Sequence, residues 1–300
     1  MEPLWGIDLG GTKIEGVVLE ERAHPNVLKR LRVPTEGDKG YDHVIDQISR
    51  LIEVLSSEIG YKPGYIGMGT PGIMDPNTKL MKNSNTVSLN DRLLKKDLED
   101  TLGIQIKMAN DANCFAVAET TMGIVAETCP DAQVIFGVIM GTGVGGGLVV
   151  DGKVIPGKHG IAGEWGHNFL DASGGTCYCG REGCVETIIS GPALEKYYES
   201  LRGIPLDLKF IVDRHFEGKD EFATQTVERL LKYFGKAMAN VINILDPDAI
   251  VIGGGLGNLD FLYTEGVEEV KKYVFNDQLN TLFLKPKLGD SAGVFGAALL

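Results

Sequence analysis

The sequence predicts an α/β protein of two domains, on three observations. The chain has 300 residues, room for two domains of ordinary size. Short apolar runs of strand length alternate with longer segments of helical period. One local plan, an apolar strand, a turn containing Gly-Thr and a second apolar strand, occurs twice, at residues 4–19 and again at 134–150. Two copies about one domain length apart suggest an internal duplication with one copy opening each domain.

In chain order, the first strand is Leu4 to Leu9, followed by the turn Gly10-Gly11-Thr12-Lys13 and a strand from Ile14 to Leu19. Residues 42–59 read as a helix, because Val44, Ile45, Ile48, Leu51, Ile52, Leu55 and Ile59 fall on one face. A strand from Tyr65 to Met68 runs into the turn Gly69-Thr70-Pro71-Gly72. Residues 90–102 look helical and Gln105 to Met108 extended; Asn110-Asp111 then precedes a helical run from Ala112 to Thr121. The second copy is Val134 to Met140, Gly141-Thr142-Gly143-Val144-Gly145, and Gly147 to Val150. Helices are expected over 192–201 and 224–245, the latter stopped by Asp246-Pro247. A buried strand from Ala249 to Ile252 ends in Gly253-Gly254-Gly255, and Ser291 to Leu300 reads as a small-residue helix. The expected division is a first domain of residues 1–120 with 290–300 returning to it, and a second of 121–289 carrying the cysteine cluster.

Composition narrows the function. Net charge is −12, which argues against nucleic acid or an anionic membrane as partner. No apolar run approaches a membrane span. The start, Met-Glu-Pro-Leu-Trp-Gly-Ile-Asp, has neither the basic nor the apolar region of a secretory signal, so a cytoplasmic protein with reduced thiols is expected. Of five cysteines three are clustered, which favours metal over disulfides; Cys114 and Cys129 read as single buried thiols.

Four motifs carry chemistry. Gly10-Gly11-Thr12-Lys13 can aim backbone amides at a phosphate oxygen, with a hydroxyl and a charge added by Thr12 and Lys13. Asp8, at the strand end, could hold magnesium through water. One such hairpin alone reads as an ordinary turn; the second copy makes a polyphosphate clamp the better reading. Residues 141–146 also satisfy Gly-x-Gly-x-x-Gly, but strand rather than helix follows, so the dinucleotide reading is rejected. Asn110-Asp111 suits both helix capping and, for Asp111, general base catalysis. His167, Cys177, Cys179 and Cys184 form the ligand set of a closed Cys₃His zinc site. Glu164 and Glu186 bracket the ligands without joining them. With the second ring nitrogen of His167 they would form a preoriented polar array for a ligand rich in hydroxyls.

Together these motifs resemble the ROK family (repressors, open reading frames and sugar kinases). The resemblance runs from Asp8-Leu9-Gly10-Gly11-Thr12-Lys13 to the glycine cluster at 253 and is most specific at Gly-Glu-Trp-Gly-His, 163–167, and Cys-x-Cys-Gly-x-x-Gly-Cys-x-Glu, 177–186. It implies an actin-like, ribonuclease-H-like fold of two α/β domains around an active-site cleft, a homodimer, and ATP-dependent phosphorylation of a hexose, usually at O6. Carried over by motif, Gly10, Gly11, Thr12, Lys13, Thr142 and Gly143 would embrace the ATP phosphates, and Gly254 and Gly255 would lie beside the adenosine. Asp111 would be the catalytic base. Asn110, Glu164, His167 and Glu186 would bind sugar hydroxyls, with Asn85 and the backbone at Gly72 as further candidates. Asn85 is followed by Thr86-Val87, where the family often has an apolar residue and Pro. The chain opens directly on its first strand, without the helix-turn-helix of the family's repressor branch.

The expectation is a zinc-containing kinase dependent on ATP and magnesium, acting on O6 of glucose or a related hexose. N-acetylglucosamine, N-acetylmannosamine or fructose is the alternative substrate. A non-catalytic sugar sensor is the rival from another class; it would have no need to keep Asp111, Thr12 and both glycine turns. A zinc-binding interaction module would leave the paired hairpins without a purpose.

Overall fold

The computed structural model describes residues 2–84 and 86–300. The chain divides into two compact units: Met1–Pro130 with Gly147–Ala162 and Lys287–Leu300, and Asp131–Gly146 with Gly163–Pro286. Among the described residues no helix is long and apolar enough to cross a membrane.

The first unit is built on β1 (Leu4–Leu9), β2 (Lys13–Leu19), β3 (Val27–Pro34), α1 (Tyr41–Ile59) and β4 (Tyr65–Thr70). It continues through β5 (Ile73–Met74), β6 (Met81–Lys82), α2 (Leu94–Leu102), β7 (Gln105–Asn110), α3 (Asp111–Thr121) and α4 (Ile124–Thr128). Its main sheet has the order β3-β2-β1-β4-β7. β1, β2 and β3 pair antiparallel, and β1, β4 and β7 are parallel. α1 buries Val44, Ile45, Ile48, Leu51, Ile52 and Leu55 in the core beside the sheet residues Ile7, Leu9 and Ile14. The C-terminal segment packs against the same sheet. A Cβ on Gly67 would stand 1.8 Å from the carbonyl oxygen of Ala297, so only glycine lets that helix come so near.

The second unit begins with β8 (Val134–Met140) and β9 (Val144–Val150), and β9 runs on into the first unit, where β10 (Lys153–Val154) follows. The helices α5 (Glu186–Ile189), α6 (Gly191–Arg202), α7 (Leu208–Glu217) and α8 (Glu221–Leu245) come next, then β11 (Ala249–Gly253), α9 (Glu265–Lys271) and β12 (Leu282–Leu284); α10 (Ala292–Ala298) closes the chain in the first unit. The second sheet has the order β10-β9-β8-β11-β12, with β8, β11 and β12 parallel.

The alternation expected from sequence is present, with differences at the edges. The helix expected over 90–102 starts only at Leu94, and β3 and α7 were not anticipated. The first unit runs past residue 120 to Pro130 and takes back 147–162. Gly147 is where this happens: a Cβ there would lie 2.4 Å from the carbonyl of Ala112, so the bare backbone packs on the first turn of α3.

Candidate functional site

In the first unit, strand register collects the candidate residues. Asp8 stands opposite Gly69, and Thr70 opposite Asn110, at the carboxyl ends of β1, β4 and β7. Parallel α/β sheets bind ligands beyond that edge. The hairpin with Gly10, Gly11, Thr12 and Lys13, the turn with Gly72, and Asp111 all follow directly from these strand ends. Gly10 N–H donates to Lys13 O at 2.9 Å, and the Thr35 hydroxyl donates to Gly10 O at 2.7 Å. This pins the hairpin base and leaves Gly11 and Thr12 exposed at its tip. Gly72 is hemmed in: a Cβ would come within 2.8 Å of Lys82 O and Ser84 Cα. Asn85 lies outside the described residues.

Asn110 caps α3. Its Oδ1 accepts from Asn113 N–H at 3.0 Å, which commits the oxygen and leaves the amide NH₂ as a donor. Asp111 is the first residue of that helix, with Oδ1 accepting from Ala112 N–H at 2.7 Å. Its edge is open to solvent, yet the crowd of protein around the carboxyl raises its pKa by desolvation, against the pull of backbone N–H groups. Asp8 is half-buried. Burial first, then the charges of Asp111 and Glu15, push its carboxyl from 3.8 up to about 6, with Lys13 opposing. Gly293 and Gly69 cradle it: a Cβ on Gly293 would lie 2.8 Å from Asp8 Oδ2, and one on Gly69 3.2 Å from Oδ1. Glu15, directly across from Asp8 on β2, is fully buried among Arg30, Arg32 (2.8 Å) and Lys13 (3.7 Å). An isolated Glu inside an apolar strand was the one sequence signal of this ion cluster.

In the second unit the two glycine turns are neighbours. β8 and β11 run parallel, Ile139 facing Gly253, so their following turns meet. Gly254 has φ +79°, and a Cβ there would stand 2.3 Å from Met140 O, so the position accepts only glycine. Gly141 N–H donates to Gly143 O, and Gly191 N–H to Gly141 O, both at 2.9 Å. A cavity of about 660 Å³ opens there, lined by Gly141, Thr142, Gly191, Pro192, Gly255 and Leu256 among others. That volume is within the range of small-molecule and cofactor sites. Thr142 and Gly255 were expected on this wall; Gly191-Pro192 at the start of α6, and Leu208 and Val212 of the unanticipated α7, were not. Gly143 faces elsewhere. A Cβ on it would meet Glu186 Oε2 at 2.7 Å, and the same oxygen accepts from Val144 N–H at 2.9 Å.

The cysteine cluster is assembled on the same unit. The ligand atoms of His167, Cys177, Cys179 and Cys184 all lie within 4.8 Å of one another. Cys179 and Cys184 Sγ are 3.6 Å apart, and Cys177 Sγ is 3.6 Å from His167 Nδ1. A tetrahedral zinc with Zn–S of about 2.3 Å and Zn–N of about 2.0–2.1 Å spaces its ligands about 3.6–3.8 Å apart, so the donor set fits zinc in both chemistry and spacing. Burial and the neighbouring thiols push the Cys184 thiol up to about 12 in the absence of a cation. His167 Nε2 faces the Tyr178 hydroxyl at 2.9 Å, a partner that sequence did not indicate. Trp165 and Gly166 seat the histidine segment on β9. Trp165 Nε1 donates to Gly145 O at 2.8 Å, and a Cβ on Gly166 would stand 1.9 Å from Val144 O. Glu164 and His167 flank that buried pair and are themselves half-exposed. Glu186, two residues beyond Cys184, opens α5 and ties the knuckle to the hairpin through Val144.

Known proteins are similar to this chain over nearly its whole length. A family model described as "ROK family" matches residues 4–300. The N-acetyl-D-glucosamine kinase of Histophilus somni (strain 129Pt) is 35% identical over 307 residues, covering 99% of this chain and 98% of that protein. That of Aliivibrio fischeri (strain ATCC 700601 / ES114) is 34% identical over 306 residues, with coverage of 99% and 98%. Among solved structures, a ROK hexokinase from Thermus thermophilus superposes with a TM-score of 0.88 at 30% identity, covering 99% of this chain and 97% of that one. A ROK family glucokinase from Streptomyces griseus, in complex with glucose and AMPPNP, gives 0.74 at 25% identity, covering 99% and 98%.

Proposed function

The chain belongs to the ROK family and is an ATP-dependent sugar kinase; from that premise we propose that its acceptor is an N-acetylated hexosamine, N-acetyl-D-glucosamine first. The observation that carries the choice of sugar is the likeness to N-acetyl-D-glucosamine kinases over 99% of the chain. It favours the alternative over the glucose reading first expected from sequence.

The residues divide the work. Asp111, its pKa raised by desolvation, accepts the proton of the acceptor hydroxyl. As it does so, the hydroxyl oxygen forms its bond to the γ-phosphorus and the bond from that phosphorus to the bridging oxygen breaks, releasing ADP. Asn110, through its uncommitted NH₂, the backbone at Gly72, and Glu164, His167 and Glu186 are the candidates for binding the sugar. The cavity at Thr142 and Gly255 seats the nucleotide, with Gly143 and Gly254 shaping the turns beside it. Gly10, Gly11, Thr12 and Lys13 are the candidates for binding ATP phosphates.

Asp8 fits a magnesium site. It is a hard oxygen donor whose ionisation is made costly by burial and two neighbouring carboxylates, a cost that a cation relieves. Magnesium bound there would neutralise charge on the transferring phosphoryl group. His167 Nδ1 and the three thiols would hold zinc as a closed structural site, which orders His167 and Glu186 and takes no part in the transfer. Thiol ligands of this kind suit a reducing compartment such as the cytoplasm. Phosphorus NMR of the product formed from ATP, magnesium and N-acetyl-D-glucosamine tests the assignment. A new phosphomonoester on O6 is expected, and phosphate appearing only as free inorganic phosphate would overturn it.

A further inference from the structure

The three clustered thiols are not equivalent. Cys177 and Cys184 are buried, whereas Cys179 is exposed. Cys179 sits in an exposed run, residues 178–182, that is bounded by buried Cys177 on one side and buried Gly183 and Cys184 on the other. Gly180 turns this run with φ +84°, and a Cβ on it would meet nothing within 4 Å among the described residues, so the outer side of the turn is unpacked. Cys184 lies in the pinned part of the knuckle, bridged to Phe169. The Sγ atoms of Cys179 and Cys184 are nevertheless only 3.6 Å apart. Thiols that hold zinc do so as thiolates. A thiolate, solvent access and a second thiol close by are the conditions that mark a cysteine for reversible oxidation.

We propose that Cys179 is a site of oxidation by hydrogen peroxide, with Cys184 as its resolving partner, and that the disulfide they form expels the zinc. The Cys179 sulfur attacks one peroxide oxygen. The O–O bond breaks, leaving a sulfenic acid on Cys179 and a hydroxide that takes a proton to become water. The Cys184 sulfur then attacks the Cys179 sulfur, the S–O bond breaks, and a second hydroxide leaves as water. The two thiolates lose two electrons in all, and peroxide takes them. Cys177 stays behind, buried and 3.6 Å from His167 Nδ1. Those two ligands cannot retain a metal that takes four. His167 and Glu186, which follows Cys184 by two residues, then lose the order that zinc gives them, so oxidation weakens sugar binding. The cavity wall at Thr142 and Gly255 contains none of these residues and keeps its nucleotide affinity. The inference rests on the reading of the cluster as a zinc site, and goes further in making that site a reversible sensor of oxidant.

The test adds hydrogen peroxide to the zinc-loaded protein and follows two signals. One is zinc released to a chromophoric chelator; the other is disulfide mapping by mass spectrometry without reduction. Cleavage after Arg181 separates Cys184 from the other two thiols, and fragmentation of the linked peptide tells Cys177 from Cys179. Release of about one zinc per chain should accompany a Cys179–Cys184 link, and dithiothreitol with zinc should restore the starting state. A dimedone probe present during oxidation should label Cys179. The sugar KM of the oxidised protein should be raised about tenfold or more, with the ATP KM within about threefold. Zinc retained through peroxide treatment, a disulfide through Cys177, or zinc lost with Cys179 still reduced would overturn the inference and leave the kinase and zinc readings standing. An oxidised, zinc-free protein with an unchanged sugar KM would overturn its role as a switch. Freshly purified protein that carries no zinc would instead remove the zinc reading beneath it.

Discussion

Replacing Asp8 by Asn should make the metal-free protein more stable, and by an amount that depends on pH. In the folded chain the Asp8 carboxyl is pushed from 3.8 to about 6, first by burial and then by Asp111 and Glu15. A carboxyl whose folded pKa lies above its unfolded value weakens the fold as pH rises through the interval between the two, and the full cost applies above the folded pKa. The shift corresponds to about 3 kcal/mol at pH 7.5 and to about half that at pH 5. Asn keeps the shape that Gly293 and Gly69 cradle but cannot ionise. Urea unfolding without magnesium should therefore show Asp8→Asn more stable than the parent by about 2–3 kcal/mol at pH 7.5, with the gap shrinking towards acid. Magnesium should stabilise the parent at pH 7.5 and leave the variant unmoved. A variant less stable than the parent at pH 7.5, or a gap that does not change with pH, would refute the reasoning.

Asp111→Ala should lower kcat by about 10²–10⁴-fold with sugar binding by calorimetry nearly intact; near-parental turnover would end the general-base assignment. Metal analysis should find one zinc per chain, lost on Cys179→Ser, and the zinc-free protein should show a sugar KM raised by about tenfold or more. Unchanged sugar affinity without metal would contradict the organising role. Glu186→Gln should raise the sugar KM on the order of 10- to 100-fold and the ATP KM by no more than about threefold. Because Glu186 also holds Val144 N–H beside the glycine turn, equal effects on both substrates would mean that its role lies with the hairpin rather than the sugar.

Local chemistry was legible in the sequence wherever a residue type has few uses. The Cys-x-Cys spacing with Gly-Glu-Trp-Gly-His pointed to the four side chains that cluster, because three thiols and an imidazole in that order have few other uses. The glycine cluster after β11 was visible because backbone that must approach closely leaves only glycine, as at Gly254. For Asn110-Asp111 sequence offered capping and catalysis together; the fold divides them, with Asn110 as the cap and Asp111 displayed beside it. What escaped was non-local. β3, Val-Leu-Lys-Arg-Leu-Arg-Val-Pro, lacks a clean alternation and becomes a strand by pairing with β2, where Arg30 and Arg32 meet Glu15. α7 is short and follows the irregular Gly-Ile-Pro-Leu-Asp, and its amphipathic face has meaning only against α6 and α8. The return of 147–162 to the first unit rests on non-local packing, such as Gly147 on Ala112 and Gly160 beside Ile73 and Met74. The bonds from Tyr178 to His167 and from Val144 to Glu186 join residues 11 and 42 positions apart, beyond any periodicity.

The central claim, ATP-dependent phosphorylation of an N-acetylated hexosamine, is tested most directly by ADP release from the purified protein with ATP and magnesium over glucose, fructose, mannose, N-acetyl-D-glucosamine and N-acetyl-D-mannosamine. The account predicts sugar-dependent ADP release with the highest kcat/KM on N-acetyl-D-glucosamine. Sugar binding without ADP release from any of the five, or a highest kcat/KM on glucose, would contradict it.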